Sequence, residues 1–128
     1  MTADVTRTWS GGPWEQGYGY CRALRSAGLV FVSGCTAAGD PAVLDAGDAA
    51  AQFEVAARTA LAALADLGAG VADVVRTRIY LVDRADADAV GAAHQRVFGS
   101  HPPAATMVVV AGLIDTRMRV ELEVEATS

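Results

Sequence analysis

The stretch that decides the fold runs His101-Pro-Pro-Ala-Ala-Thr-Met-Val-Val-Val-Ala-Gly112, breaks at a turn, and resumes as Val120-Glu-Leu-Glu-Val-Glu-Ala126. The second run alternates strictly. Val120, Leu122, Val124 and Ala126 point one way and Glu121, Glu123 and Glu125 the other, the period of a half-buried strand. The first run, from Thr106 to Ala111, is nearly all apolar, which predicts a strand buried on both faces. Three carboxylates on one strand face are either a solvated surface or, for one of them, part of a cleft between subunits. In a cleft, burial beside Met107 and Val109 would raise the carboxyl pKa and let it act as general acid or base near neutral pH.

Working back along the chain, Asp86 or Asp88 can start a helix whose buried stripe is Val90, Ala93, Val97 and Phe98, with Gly99 ending it. Val74-Val-Arg-Thr-Arg-Ile-Tyr-Leu-Val82 is β-branched and reads as a strand. Arg76, Arg78 and Tyr80 share one face, and Val75, Thr77, Ile79 and Leu81 the other. The clearest helix follows Asp48 as N-cap. Phe53, Ala57, Ala60, Leu61, Leu64 and Leu67 recur at helical spacing, and Gly68 closes it. Residues 36–47 hold Gly39, Asp40, Pro41 and Gly47 and read as a loop. Residues 20–25 and Leu29–Ser33 read as two strands joined near Ser26-Ala27-Gly28, with a short first strand around Arg7–Trp9.

The order is β-β-β-α-β-α-β-β, which predicts an α+β, two-layer sandwich: one mixed sheet with two helices on one face. Residues 1–128 then form one domain, and the opposite sheet face needs a cover, most simply another subunit. Hydrophobic residues make up 52% of the chain, but the excess is largely alanine, so it argues only weakly for self-association. A net charge of −5 without a basic cluster is unsuited to nucleic-acid backbones and anionic membranes. No run approaches a membrane span, and the N-terminus lacks the apolar stretch of a signal peptide, so a cytoplasmic location is expected. Cys21 and Cys35 form no metal spacing, and nothing argues for a disulfide between them.

Five pieces of the chain resemble the RidA/YjgF family, the reactive intermediate imine deaminases. Gly19-Tyr-Cys-Arg-Ala23 is similar to the family's Gly-Pro-Tyr-Ser-Gln-Ala, and Val30-Phe-Val-Ser-Gly34 to its Val-Phe-Val-Ser-Gly strand end. Asp73-Val-Val-Arg-Thr77, Phe98-Gly-Ser-His-Pro-Pro-Ala104 and the final glutamate strand follow in the family's order. The resemblance covers about Tyr20 to Ala126. It implies a chorismate mutase-like fold assembled as a homotrimer, a small-molecule substrate in an intersubunit cleft, and hydrolysis of an enamine or imine. No cofactor or metal is implied, because an imine carbon is already electrophilic.

Carried over position by position, the resemblance makes Glu121 the catalytic carboxylate that orients or activates water. Tyr20 and Ser33 become substrate-binding residues. Three positions depart from the family pattern. Ala105 stands where the family has the arginine that grips a substrate carboxylate, Gly91 where it has an asparagine, and Met107 where it often has cysteine or valine. Alanine supplies neither the charge nor the fork of a guanidinium. The site should therefore bind imino acids poorly and suit an uncharged or bulkier ligand.

Arg78 is the first candidate to replace the missing cation, with Arg22 and Arg117 behind it. The competing expectation for Arg78 is a salt bridge to Glu121 or Glu123, which would lower the glutamate's pKa. Neither Cys21 nor Cys35 has a visible base beside it, and His94 and His101 read as solvated or locally bonded. Trp9 and Trp14 lie either over a pocket or in ordinary packing. Two functional alternatives to the hydrolase stay open. One is a non-catalytic trimer that binds a small metabolite, and the other a specialised pathway enzyme of different chemistry. An endoribonuclease activity, also attached to this family, is opposed by the net charge and the lack of a basic groove.

Overall fold

The computed structural model of the chain describes residues 4–128. Met1–Ala3, the start of the segment read above as lacking a signal-peptide stretch, lie outside them. The described residues build one six-stranded sheet in the order β1-β2-β3-β6-β4-β5. The strands are β1 (Val5–Thr8), β2 (Ala23–Ser26), β3 (Leu29–Cys35), β4 (Val74–Leu81), β5 (Ala104–Val109) and β6 (Val120–Thr127). Neighbours are antiparallel except β4 and β5, so the sheet is mixed. Ala27 and Gly28, at φ 53° and 79°, turn β2 into β3, which is the two-residue turn that matches strand twist.

Four helices accompany the sheet: α1 (Pro13–Tyr18), α2 (Pro41–Ala46), α3 (Ala49–Asp66) and α4 (Ala87–Phe98). The two long ones, α3 and α4, are those read from the periodicity, and they cover one sheet face. Asp48 caps α3 by accepting a hydrogen bond from the Ala51 N–H, as its position predicts. Phe53, Ala56, Ala60 and Leu64 of α3 are fully buried over Val120, Leu122, Val124 and Ala126 of β6. The small alanines let the helix approach the sheet closely, and each large side chain so buried contributes about 1.5–3 kcal/mol.

Four expectations need correction. Residues 36–47 are not all loop: Asp40 accepts from the Val43 N–H and caps the short α2. Helix α1 was not expected, and Pro13 at its first turn is its only strong local signal. Strand β5 is not buried on both faces. It is an edge strand paired only to β4, with Ala104, Ala105, Thr106, Val108 and Val109 exposed and Met107 half-buried. Its apolar run reflects a second surface left open in the single chain. Val75 is exposed rather than inward, because the β4–β6 register shifts between Val74 and Arg76 and the irregularity turns it out.

Two polar side chains, one half-buried and one fully buried, stitch the layers together. His94 of α4 shares a 2.8 Å hydrogen bond with Thr77 of β4 and packs on Phe53 and Phe98, so it is neither solvated nor bonded within its own helix. Burial lowers its pKa. Gln52 of α3 is fully buried. Its amide donates to the Arg117 carbonyl at 3.0 Å and accepts from the Arg119 N–H at 2.8 Å, pinning the segment that leads into β6. Gln52→Leu keeps the volume but leaves that N–H and carbonyl unpaired. Chemical denaturation should show a loss of about 2–4 kcal/mol, and an unchanged midpoint would mean water replaces both bonds.

Candidate functional site

The sheet opens where β3 parts from β6. Val32 pairs with Val124 and Cys35 with Leu122, so three steps on β3 oppose two on β6 and the strand bulges at Ser33-Gly34. Bulges of this kind re-aim side chains. Glu121 stands beside the bulge, and its carboxylate occupies the space a side chain at position 34 would need. A Cβ on Gly34 would lie 2.9 Å from Glu121 Cδ and closer still to Oε2. The φ of Gly34 is not in the left-handed region, so the glycine is required by this close approach rather than by backbone conformation.

Glu121 and Gly34 belong to a cleft of about 560 Å³. Its floor also holds Arg22 and Cys35, with Tyr20 beside them. One wall is the segment from Ser10 to Tyr18, and the other includes Ile114 and Met118. Among the described residues, no hydrogen bond or ion pair reaches the Glu121 side chain. Its pKa is raised, first by burial and then by the neighbouring Glu123, with the Arg22 charge opposing. The cleft thus holds a half-buried carboxyl free to exchange a proton.

Arg22 is buried and engaged on every nitrogen. Nε and Nη2 donate to Glu15 Oε2, both at 3.2 Å, and Nη1 donates to the Gly34 carbonyl at 2.7 Å. The guanidinium also lies 5.6 Å from the Tyr20 ring centre. Glu15 is 3% exposed and further accepts from the Ser10 N–H and hydroxyl. Burial pushes the Glu15 carboxyl up, but the hydrogen bonds from Ser10 and Arg22 together hold it below its ordinary value. Burial also dominates at Cys35, whose thiol is raised despite Arg22 nearby, so it stays protonated at neutral pH. Both cysteines are free.

The remaining site expectations fall in different places. Tyr20 lines the cleft with Glu121. Ser33 does not; its hydroxyl donates to the Cys21 carbonyl at 2.8 Å, and it faces a shallower hollow of about 730 Å³ with Phe31 and Glu123. Arg78 lies outside the cleft. It pairs with Glu125 at 2.7 Å rather than with Glu121 or Glu123, while Glu123 takes a hydrogen bond from Tyr80. The pairing is diagonal, since Arg78 stands directly opposite Glu123 in the ladder. Arg117 is held by Asp115, whose pKa falls to about 2 through those hydrogen bonds, and by Asp45.

Ala105, Met107 and Gly91 lie on the wrong side of the sheet to meet Glu121 of the same chain. Parallel pairing sets Ala105 beside Thr77 and Met107 beside Ile79, on the face that α3 and α4 cover, and Gly91 is part of α4. Glu121 alternates with Val120 and Leu122 and so belongs to the opposite face. Of the residues in and under the cleft, residue-by-residue reading missed Glu15 and Tyr18; it set Trp14 either over a pocket or in packing, weighed Cys35 only as an unactivated thiol, and offered Arg22 as a substrate cation, whereas Arg22 is tied to Glu15 and the Gly34 carbonyl. The one local hint was Gly34 ending a β-rich run, with an alternating glutamate strand to pair with it.

Comparison with known proteins agrees with this architecture. The family model described as Endoribonuclease L-PSP matches residues 15–128. An uncharacterised protein of Streptomyces coelicolor is 43% identical over 98% of this chain and 95% of its own. Among solved structures, a Mycobacterium tuberculosis member of the YjgF/YER057c/UK114 family is 41% identical with a TM-score of 0.88, covering 98% of this chain and 100% of that one. A Pseudomonas aeruginosa protein of unknown function is 30% identical with a TM-score of 0.86, covering 98% and 94%. With the mixed sheet, its two covering helices and the matched length, this chain belongs to the Endoribonuclease L-PSP family, also known as RidA/YjgF.

Proposed function

We propose that this protein hydrolyses a small enamine, imine or related carbonyl-type intermediate in the cleft at the β3 bulge, with Glu121 handling the attacking water. The observation that carries the reading is the Glu121 carboxyl itself, unpartnered among the described residues, raised in pKa by burial and seated against Gly34. In its ionised form it takes a proton from water as the water oxygen bonds to the imine carbon. The C=N π pair passes to nitrogen, and the proton held on Glu121 follows it. Glu121 then takes the hydroxyl proton of the carbinolamine and passes it to the nitrogen as the C–N bond breaks, so that the amine leaves and a carbonyl forms. An enamine enters the same path after gaining a proton on carbon. Tyr20 and nearby backbone N–H groups orient the substrate, while Ser33, tied to Cys21, supports the floor.

A homotrimer completes this reading. The sheet face away from the helices leaves Phe31, Leu29 and Val108 exposed, and a neighbouring subunit would cover it. Only another copy can bring Ala105, Met107 and Gly91 to a Glu121, which makes the reaction site an intersubunit one. The whole chain acts as a single domain without a cofactor, and two free cysteines fit a reducing, cytoplasmic setting. A ribonuclease reading is disfavoured, since among the described residues the cleft sets Glu121 beside a single arginine that is itself paired with Glu15, in a chain of net charge −5. The competing reading of a trimer that only binds a metabolite draws on Ala105. It predicts that no imine is turned over and that changes at Glu121 alter affinity alone.

Two substitutions separate these readings. Glu121→Gln should lower turnover of a neutral imine by about 100-fold or more, the usual contribution of a positioned acid or base. It should not weaken the fold. A carboxyl whose pKa is raised on folding stabilises the native state below its unfolded pKa, and that stability is lost as pH rises through the folded value. At pH 7 the wild-type charge is therefore a cost that glutamine lacks, so thermal unfolding should be unchanged or later. Full turnover in this variant would remove Glu121 from the mechanism.

Gly34→Ala should displace the carboxylate while the fold survives, because the atoms that must give way are the end of a flexible side chain. Turnover should fall by about 10- to 100-fold, with unfolding shifted by less than about 1 kcal/mol. A fully active Gly34→Ala protein would show that the close approach is incidental.

A further inference from the structure

The cleft has features that imine hydrolysis alone does not require. Helix α1 forms one wall, and its only buried residue is Glu15. The helix is latched by an ion pair instead of an apolar stripe, which leaves its aromatic side chains for the cleft. Trp14 lies half-buried against the small apolar cluster of Ala37, Leu44, Val55 and Met118, and Tyr18 stands at the mouth. Ile114 also lines the mouth. Tyr18 and Ile114 are each 68% exposed, so both present apolar surface left uncovered by the described residues.

Charge points the same way as shape. Among the described residues the one cation that lines the cleft is Arg22, and Glu15, Gly34 and Ser33 occupy its three nitrogens. A ligand carboxylate would find no free guanidinium there and would face the Glu121 charge. At about 560 Å³ the cleft falls within the size of sites that hold drug-sized molecules, far more than a two- or three-carbon imine fills.

We propose that the site takes an uncharged, flat, ring-bearing imine or carbonyl compound, and that Trp14 and Tyr18 set this specificity. The inference rests on the cleft being the reaction site and names its substrate class. A binding test keeps the two apart, since it needs no turnover and is read independently of Glu121→Gln.

The test titrates the purified ¹⁵N-labelled protein with benzamide, acetamide and sodium benzoate. The readout is the Trp14 indole N–H signal, distinguished from Trp9 with a Trp9→Phe variant. Benzamide should shift the Trp14 signal and saturate it. Acetamide and benzoate should bind about tenfold more weakly or less, the first for want of a ring and the second for its unpaired charge. Tyr18→Ala, which changes an exposed residue and spares the core, should weaken benzamide by about three- to tenfold. Benzoate or acetamide binding as tightly as benzamide would overturn the inference. So would a Trp14 signal that benzamide leaves in place, or an unchanged affinity in Tyr18→Ala.

Discussion

The close approach of the Glu121 carboxylate to Gly34 is the contact on which the rest of the site depends. It exists because β3 carries one residue more than its partner over the stretch from Val32 to Cys35. That extra residue opens the ladder, and the missing Cβ at position 34 lets a charged side chain settle into the gap. An ordinary strand would have turned Glu121 out with Glu123 and Glu125, whose carboxylates are satisfied by Tyr80 and Arg78. Three glutamates alternate along one strand, and among the described residues only the first of them, beside the bulge, is left without a partner.

Arg22 holds the same spot from below. Removing a guanidinium and a carboxylate from water is expensive, and buried pairs often add little net stability. What the Arg22–Glu15 pair does add is geometry. It binds the carbonyl of the bulged residue at one end and the wall helix at the other. The same engagement leaves the Arg22 guanidinium tied to Glu15 and the Gly34 carbonyl, with no nitrogen left without a partner.

The long elements were legible in the sequence because each rests on a local signal. Asp48 and Gly68 bracket α3, strict alternation marks β6, and a two-residue turn joins β2 to β3. Elements set by distant partners were not legible. Helix α1 is docked by a buried ion pair, so its sequence shows no apolar stripe. Strand β5 is apolar but lies at an edge, and periodicity cannot tell which neighbours a strand lacks. Glu121 and Tyr20 were named by resemblance to the family, and both line one cleft. The role of Arg22 was not legible, since it depends on Glu15 and on the bulge carbonyl, which nothing in its local sequence announces. Arg78 was ranked first by strand adjacency, and the diagonal pairing with Glu125 took it away.

The central claim is that Glu121 is an unpaired carboxyl held partly out of water. Its protonation is observable directly, by following the side-chain ¹³C carboxyl shift of glutamates through a pH titration, with Glu121→Gln assigning the resonance. Burial and the Glu123 charge predict a midpoint above the ordinary value of 4.5 for Glu121, with Glu15 below it in the same spectrum. A Glu121 midpoint at or below that value would mean the carboxylate is solvated or paired, and the account of the cleft as an acid–base site would fail.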